Sequence, residues 1–483
     1  MTNPKNQADA DRLKTAEVTA NWLNALFAQE DYEGLKAGLL DAISQRPHSS
    51  SLYNNLGITY GYLKQYDNAE HAFTKAIALN PDYLQAYKDR GLLYDRTHQN
   101  EQGLSDLRHY LSHRPEDGDA WGKLGLLYLR RAEYDLCRAA FDRASVLSPN
   151  VLNHRFNVSI LDLLMGDLKR GFQGYEYRWH NSGMLKSPTQ EVKIQLDQSP
   201  IAELSSLDQV KGAKILCMNE QGIGDSLQFA RFLPLLKQKG ARLSFSLYGG
   251  FESLLSYFEA FDCLDQVGLK LKRLEGYDYY CSIGSFGKVF NITGPADIPP
   301  PFAPAAPDEL LQKWKQILDR TLPAAAAKQI RIVIAPFGNP GHPNDHARSA
   351  SIHDFEPLFK QYKQAQFILI NPESDAQTIS CCALYDHVHY LGDQVNDFMD
   401  SAAILHHCDL VISVDTSLLH LAGSMNKPVF GLLAHVPDWR WQLGTSTSPW
   451  YPALTLFRKA KASSWENTLR AVSKTLQQFI DGA

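Results

Sequence analysis

A period of 34 residues runs through the N-terminal third of the chain and constrains its fold more than any other feature. Gly57, Gly91 and Gly125 stand 34 residues apart. Other residues recur with them at fixed offsets: an aromatic residue (Tyr53, Tyr87, Trp121), a tyrosine (Tyr60, Tyr94, Tyr128), a bulky apolar residue (Phe73, Leu107, Phe141) and a proline (Pro81, Pro115, Pro149). This period is typical of helix-turn-helix units that stack, because one unit cannot bury its apolar face alone. The pattern therefore predicts an α-helical solenoid.

The pattern resembles the tetratricopeptide repeat. A degenerate unit with Trp22 and Pro47 precedes the three clear units, and another with Tyr175 follows them. Outer units that depart from a pattern are typical of caps, whose outer faces meet solvent or another domain. We predict repeats over residues 16–183 and a disordered tail over residues 1–15.

The resemblance implies that the concave face of the solenoid binds a segment of another protein. Four polar side chains at inward-facing helix positions are candidates for this contact: Asn55, Asp89, Lys123 and Asn157. Asn55 and Asn157 occupy the same position of their units, where side-chain amides can bind a peptide backbone, whereas Asp89 and Lys123 interrupt an amide ladder. For each residue the alternative is a solvated polar face without a ligand.

After a polar connector over residues 184–212, strands and helices alternate. A short apolar strand precedes the glycine turn, residues 220–225 with the sequence EQGIGD, and residues 226–239 predict an amphipathic helix before the next strand. We expect residues 213–293 to form one α/β half. Asp225 lies at the head of the predicted helix, either as its N-cap or as a base directed into a cleft, and both interpretations stay open.

A proline-rich linker and helix over residues 294–328 leads to a second α/β half over residues 329–483. Its clearest element is the apolar run Leu410–Val414, which predicts a buried strand of a parallel sheet.

Three small polar residues, Asp415, Thr416 and Ser417, follow that strand directly and precede a helix. The first N–H groups of a helix have no partner inside it and favour a phosphate. Thr416 and Ser417 add hydroxyl donors, and His420 lies about one helical turn further on. The alternative is that Asp415 or Thr416 is only an N-cap and that His420 is a packed core histidine.

Composition narrows the class of protein. The chain is 44% apolar and 21% charged, with a net charge of −5 and no basic stripe, so we expect no nucleic-acid partner. No apolar run is long enough to cross a bilayer, and the N-terminus is polar rather than a signal peptide. Seven cysteines without a CxxC pair predict neither a zinc site nor a disulfide framework. We expect a cytoplasmic protein with no integral membrane association.

A second resemblance rests on motifs taken together: residues 221–236 (QGIGDSLQFARFLPLL), residues 414–423 (VDTSLLHLAG), and residues 437–441 (PDWRW) with 448–451 (SPWY). They resemble bacterial tetratricopeptide proteins whose glycosyltransferase domain is similar to the lipopolysaccharide heptosyltransferases of glycosyltransferase family nine. The domain order is similar to that of O-linked N-acetylglucosamine transferases and flagellin glycosyltransferases. The likeness covers the chain from about residue 16. It implies an α-solenoid followed by a GT-B fold with two Rossmann-like halves.

The resemblance also implies a reaction and a role for particular residues. A sugar would move from a nucleotide-sugar donor to a hydroxyl, with inversion and without a metal or another cofactor. Asp225 corresponds to the catalytic aspartate, Arg348 to the basic residue on the diphosphate, and Glu373 to an acidic residue on the donor ribose. The donor-binding positions are Gly222, Gly224, Arg348, Glu373, Asp415, Thr416, Ser417 and His420.

Metal-dependent glycosyltransferases whose fold is not GT-B use a DxD pair to bind the metal. The two such pairs here, residues 9–11 and 117–119, lie in the N-terminal tail and in a turn between repeats, so we predict no metal site. The aromatic cluster of Trp439, Trp441, Trp450 and Tyr451 around Arg440 either contacts sugars or bases, or packs a core.

Three functions are consistent with the sequence. The first is a protein glycosyltransferase whose repeats select the acceptor. The second is an inactive adaptor whose transferase half only supports the solenoid. The third is a transferase that acts on a glycan or lipid and is recruited to a complex by its repeats.

Overall fold

The computed structural model describes residues 28–180, 188–199, 201–270, 276–322, 329–342, 344–372, 374–461 and 463–482. The chain is divided into two compact units, with the boundary between His154 and Arg155. The predicted tail over residues 1–15 and the candidate Glu373 lie outside the described residues.

The first unit consists of helices joined by short turns. In chain order the helices are α1 (Tyr32–Gln45), α2 (Ser50–Tyr62), α3 (Tyr66–Leu79), α4 (Leu84–Arg96), α5 (Asn100–His113), α6 (Gly118–Arg130) and α7 (Tyr134–Leu147). The three clear sequence units are the helix pairs α2–α3, α4–α5 and α6–α7. The predicted solenoid of helix pairs is confirmed.

The recurring glycine lets the two helices of a pair pack closely. A Cβ atom on Gly57 would lie 2.6 Å from Cε1 of Phe73, and one on Gly125 would lie 2.5 Å from Cδ1 of Phe141. Both phenylalanines are buried and occupy the same position in their units. The sequence period therefore reflects a packing requirement, because a residue without a side chain must face a bulky one.

The second unit begins with elements that the sequence analysis assigned to the repeats. Helix α8 (Leu152–Leu164) contains the division, α9 (Leu168–Tyr175) follows, and a 3₁₀ turn (Glu176–His180) completes the segment. The ring of Phe172 in α9 packs edge-on against Trp439 and Trp450, with centroids 5.8 and 6.2 Å apart. Because of such contacts the units divide at His154, whereas the predicted end of the repeats is residue 183.

The first sheet has five parallel strands in the order β1-β5-β2-β3-β4. The strands are β1 (Ala202–Glu203), β2 (Lys214–Met218), β3 (Arg242–Leu247), β4 (Leu264–Leu269) and β5 (Tyr279–Ser282). Its helices are α10 (Pro188–Asp197), α11 (Ile223–Phe229), α12 (Leu233–Gln238), α13 (Leu255–Glu259) and α14 (Phe286–Val289).

Two local predictions differ from this half of the structure. The segment predicted as an irregular connector contains α10 and β1, because β1 pairs with β5 far along the chain and leaves no local pattern. The predicted helix over residues 226–239 is instead α11 and α12, separated by the 3₁₀ turn Ala230–Phe232. Pro234 lies in the first turn of α12, where its missing N–H group costs no helical hydrogen bond.

The second sheet has six parallel strands in the order β11-β10-β9-β6-β7-β8. The strands are β6 (Arg331–Ala335), β7 (Gln366–Leu369), β8 (Val388–Tyr390), β9 (Leu410–Val414), β10 (Val429–Leu433) and β11 (Leu454–Arg458). Its helices are α15 (Asp308–Thr321), α16 (Asp345–Arg348), α17 (Glu356–Gln361), α18 (Ala376–Cys382), α19 (Phe398–His406), α20 (Ser417–Ser424) and α21 (Glu466–Asp481).

This strand order places β6 beside β9, with the earlier strands on one side and the later strands on the other. In a doubly wound sheet, the loops at such a switch point diverge and leave a crevice outside the carboxyl ends of the strands. The predicted fold class, a solenoid followed by two Rossmann-like α/β sheets, is confirmed.

The packing requirement at the repeat glycines can be tested by adding one methyl group. We expect Gly125→Ala to lower the free energy of unfolding by about 1–3 kcal/mol, because the methyl would overlap the ring of Phe141. Gly61→Ala in α2 is the matched control, since no atom lies within 4 Å of its added Cβ. We expect this variant to be unchanged or more stable by about 0.5–1 kcal/mol. Urea unfolding followed by circular dichroism measures both, and equal stabilities would contradict the requirement.

Candidate active site

The glycine turn connects β2 to α11 and places a carboxylate at the carboxyl edge of the first sheet. Gly222 is the N-cap of α11, and Asp225 is the third helical residue. The Asp225 carboxylate accepts a hydrogen bond from the N–H of Gly222 at 2.8 Å. Its side chain is 17% exposed. Asp225 is thus not the N-cap that one interpretation of the sequence predicted, although its carboxylate does satisfy a free N–H of the turn.

The turn after β9 has the predicted strand-to-helix geometry. Thr416 is the N-cap of α20 in an extended conformation, with φ −145° and ψ 171°, and its side chain makes no capping hydrogen bond. Ser417 is the first residue of the helix, and Asp415 precedes the cap. Because the cap side chain is not used, the threonine hydroxyl and the first N–H groups of α20 remain suited to an external acceptor.

The glycine turn and the Asp415 turn meet where α11 packs on α20. A Cβ atom on Gly224 would lie 2.6 Å from Cδ2 of His420. One turn further along, the Ser424 hydroxyl donates to the carbonyl oxygen of Leu227 at 3.3 Å. The absence of a side chain at Gly224 therefore allows the two halves of the second unit to come together at the glycine turn and the Asp415 turn.

His420 is a packed side chain at this junction. Its Nδ1 lies 2.9 Å from the hydroxyl of Tyr451, its ring stacks on Trp441 at 5.3 Å, and its Nε2 is 3.9 Å from the Asp415 carboxylate. Burial, together with the nearby positive charge of Arg440, lowers its pKa well below the usual value. His420 is thus neutral at pH 7 and acts as a hydrogen-bonding group rather than as a cation.

Arg348 lies beside the Asp415 turn. It ends the short helix α16 in the loop after β6, and its Nη1 donates to the main-chain carbonyl of Asp415 at 3.0 Å. A Cβ atom on Gly338 would lie 2.7 Å from Nη2 of Arg348, so this glycine provides space for the guanidinium. The side chain is 17% exposed. Arg348 and the start of α20 therefore lie together at the switch point between β6 and β9.

The environment of Asp415 disfavours its charged form. Burial and the nearby Asp438 raise the pKa of Asp415 to about 6, against the opposing effects of Trp441, Arg440 and Arg348. The carboxyl group is consequently partly protonated slightly below neutral pH.

Arg440 was not predicted as a site residue, and neither were two of its partners, Gln228 and Asp438. Its guanidinium is buried and donates to Asp225, to the Oδ1 of Asp438 at 2.7 Å and to the Oε1 of Gln228 at 2.6 Å. The sequence signal was an arginine between two tryptophans beside an aspartate, but its long-range partner Asp225 leaves no local pattern.

The aromatic cluster is a core. Trp439, Trp441, Trp450 and Tyr451 are each less than 5% exposed. Their rings pack on one another and on Phe172, as the core-packing alternative predicted.

The segment after α8 is hydrogen-bonded to the glycine turn. The Tyr175 hydroxyl donates to Oε1 of Gln221 at 2.8 Å, and Gln221 has a left-handed backbone with φ 55°. Arg178 is fully buried and donates to both carboxylate oxygens of Glu220 at 2.9 Å. Residues assigned to the repeats by their sequence pattern thus hold the turn that carries Asp225.

The candidate groove residues have different surroundings. Asn55 is exposed and Lys123 is half-buried, whereas Asp89 accepts from Asn54 at 2.8 Å and from Gln85 at 2.9 Å. Burial raises the pKa of Asp89, against those hydrogen bonds. Asn157 belongs to the second unit. Their role in binding a peptide stays a prediction.

The described residues contain one group of potential metal ligands. Among the described residues, His353, Glu356 and Cys381 have ligand atoms close enough together to share an ion, but Glu356 is already paired with Lys360 at 2.7 Å. Asp117 caps α6 and pairs with Lys88, and the pair at residues 9–11 lies outside the described part of the chain. No described helix is both long and apolar enough to cross a membrane.

A segment of each compact unit matches a known family. Residues 50–83 match the tetratricopeptide repeat model, and residues 353–469 match the model of glycosyltransferase family 9 (heptosyltransferase). Protein FlbA of Caulobacter vibrioides is 23% identical over 483 residues, covering 93% of this chain and 70% of that protein. The chain therefore carries a tetratricopeptide repeat and a glycosyltransferase family 9 domain, which confirms the predicted resemblance.

Other similarities are confined to part of the chain. Human neutrophil cytosol factor 2 is 40% identical over 101 residues, which are 20% of this chain and 19% of that protein. Among solved structures, MamA from Desulfovibrio magneticus RS-1 has a TM-score of 0.31 at 17% identity, covering 38% of this chain and 97% of that one. PilF of Pseudomonas aeruginosa has a TM-score of 0.34 at 16% identity, covering 39% and 87%.

The close approach at Gly224 predicts the effect of Gly224→Ala. The His420 ring is held by Tyr451 and Trp441 and cannot give way, so we expect the free energy of unfolding to fall by about 1–3 kcal/mol. His420→Ala provides the control: adding Gly224→Ala to it should cost much less than adding it to the wild type. Urea midpoints of the four proteins measure this, and equal costs in both backgrounds would contradict the contact.

The raised pKa of Asp415 predicts a pH dependence of stability. A carboxyl group whose pKa is higher in the folded than in the unfolded state stabilises the fold below about pH 4 and loses this effect as the pH rises through 6. Relative to Asp415→Asn, the wild type should therefore lose about 2.5 kcal/mol between pH 4 and pH 8. Unfolding midpoints of both proteins across this range test it, and parallel curves would contradict it.

Proposed function

We propose that this chain transfers a sugar from a nucleotide-sugar donor to a hydroxyl group of a protein acceptor, by a metal-independent displacement that inverts the anomeric carbon. The observation that carries the proposal is the meeting of the glycine turn and the Asp415 turn at Gly224 and His420. One turn offers donors for an anion, and the other offers a carboxylate.

The donor side is built for a diphosphate. Departure of a nucleoside diphosphate leaves negative charge on phosphate oxygens, which hydrogen-bond donors already in place stabilise without reorganisation. The first N–H groups of α20, the hydroxyls of Thr416 and Ser417, and the guanidinium of Arg348 are the donors for this charge. His420 is neutral and contributes a hydrogen bond. Contact of Glu373 with the donor ribose remains the expectation from the family resemblance.

The acceptor side centres on Asp225. An attacking hydroxyl must lose its proton as the new bond forms, and a carboxylate within reach accepts it. A single displacement in which the hydroxyl attacks opposite the leaving diphosphate inverts the anomeric carbon. Gly222 and Gly224 leave room near the carboxylate for the donor and for α20.

The repeats suggest that the acceptor is a protein. Tetratricopeptide units commonly present a concave surface to an extended or helical peptide segment, and the polar residues Asn55 and Lys123 lie on helices α2 and α6 of the first unit. In this proposal the repeats recruit the polypeptide, and the family 9 domain supplies the transfer.

Two variants separate donor binding from turnover. Thermal unfolding with uridine, guanosine, adenosine and cytidine diphosphates should reveal a ligand that raises the midpoint. Thr416→Val should lose this rise, whereas Thr447→Val on an exposed loop should keep it. Asp225→Asn should keep the rise but lose transfer from the matching labelled nucleotide sugar by at least about 100-fold.

The same assays distinguish the alternatives. An adaptor without enzymatic function would bind none of the nucleotides and hydrolyse no donor. A transferase for glycans or lipids would consume donor but place no label on polypeptide in an extract of cells lacking the gene. A Thr416→Val protein that responds to the nucleotide like the wild type would show the phosphate assignment to be wrong.

A further inference from the structure

Arg440 connects the two halves of the second unit through a charged contact at Asp225. It lies in the 3₁₀ turn Trp439–Trp441 after β10, whereas Asp225 follows β2. Although the arginine is only 6% exposed, its guanidinium donates to two carboxylates and an amide: Asp225, Asp438 and Gln228. The guanidinium also lies 4.2 Å from the centroid of the Trp439 ring.

The arrangement fixes Asp225 in place. Asp225 and Gln228 are three residues apart on α11 and present their acceptors on one side of that helix. The Nε and Nη2 groups of Arg440 bind these two acceptors together, and the planar fork of a guanidinium holds such acceptors in a defined orientation. The second oxygen of Asp225 is held by the N–H of Gly222. Both oxygens therefore have a partner in the protein.

The contact also controls the charge of Asp225. Burial raises the pKa of this carboxyl group, Arg440 opposes the rise, and Asp438 adds to it. Other titratable groups that face the same place are Tyr175 from α9 and His342 from the loop after β6. Arg440 is the cation in contact with Asp225, and a buried carboxylate that loses its cation takes up a proton more readily.

We propose that Arg440 is a positioning residue for Asp225: it keeps the carboxylate ionised and oriented so that Asp225 can act as the base. This inference rests on the proposed function, in which Asp225 takes the proton of the acceptor hydroxyl. What the reaction requires of Arg440 is its ion pair and not only the volume that it fills.

A test without substrate compares the wild type, Arg440→Gln, Asp225→Asn and the double variant. Without its cation, Asp225 has a further raised folded-state pKa, so Arg440→Gln should lose stability progressively as the pH rises from 5 to 9. The double variant lacks the Asp225 carboxylate and should regain stability relative to Arg440→Gln above pH 7, whereas Asp415 and Asp438 are common to both variants. Thermal midpoints at each pH measure this rescue, and a double variant less stable than Arg440→Gln at every pH would overturn the proposal.

Arg231→Gln is a matched control for the loss of a buried guanidinium. Arg231 is also buried, but its hydrogen bonds to the main chain go to the carbonyl oxygens of Gln228, Pro299 and Trp450. Its substitution should lower stability by the same amount at pH 5 and pH 8. Asp225→Asn should give Arg231→Gln no rescue.

The activity test uses the labelled nucleotide sugar that the wild-type protein turns over. In Arg440→Gln the acid limb of kcat/KM against pH should move up by one unit or more, so that kcat/KM falls by at least about tenfold on the acid side of the limb and recovers at higher pH. Arg440→Lys keeps a positive charge and should therefore show a smaller upward shift of the acid limb than Arg440→Gln. A loss by the same factor at every pH, with the limb unmoved, would mean that Arg440 only packs.

The controls separate failure of this inference from failure of the proposed function. If Asp225→Asn retains transfer, Asp225 is not the base, and both proposals are wrong. Asp225→Asn could abolish transfer while Arg440→Gln leaves the pH of the acid limb of kcat/KM unchanged. The proposed function would then be supported, and only the positioning role of Arg440 would be wrong.

Discussion

The second unit depends on the contact between α11 and α20 at Gly224 and His420. Each of these helices begins directly after a central strand, so their N-terminal turns carry groups at the carboxyl edges of both sheets. Only a residue without a side chain lets the imidazole approach to 2.6 Å of the position that a Cβ would occupy. The distance between the Asp225 carboxylate and the start of α20 follows from this packing. In the sequence, Gly224 is recognisable only as part of the glycine turn. In the structure, it is required for the close packing of α11 on α20.

The sequence predicted features whose cause is local. The 34-residue period follows from the pairing of a glycine with a bulky residue one helix later. The strand Leu410–Val414 was recognised because four of its five residues are apolar, as expected of a strand that is buried on both faces. Features whose cause is distant in sequence were missed: the pairing of β1 with β5 and the contact of Arg440 with Asp225. A pattern within one segment carries no information on which remote partner it meets.

Helix α9 shows that a segment with the repeat pattern can pack within the second unit. Helix α9 keeps the apolar spacing of the repeats, since Phe172 and Tyr175 must be buried in either setting. Their partners differ: Phe172 packs on Trp439 and Trp450, and Tyr175 binds Gln221. Arg178 is buried and forms an ion pair with Glu220, the first residue of the glycine turn. A truncation chosen from the repeat pattern alone would therefore remove part of the support of Asp225.

The charges around the candidate site bear on how carboxylates could surround the phosphate site that we propose. Asp225 and Asp438 both bind Arg440, so one of their two negative charges is compensated before any ligand arrives. Asp415 makes no such pair, and its pKa of about 6 leaves it readily protonated. A diphosphate at the start of α20 would add negative charge beside Asp415 and raise this pKa further, so that binding draws a proton onto the carboxyl group. In the proposed reaction, protonation would turn Asp415 from a repelling group into a hydrogen-bond donor, so that it would no longer oppose the N–H groups of α20 and Arg348 at the phosphate.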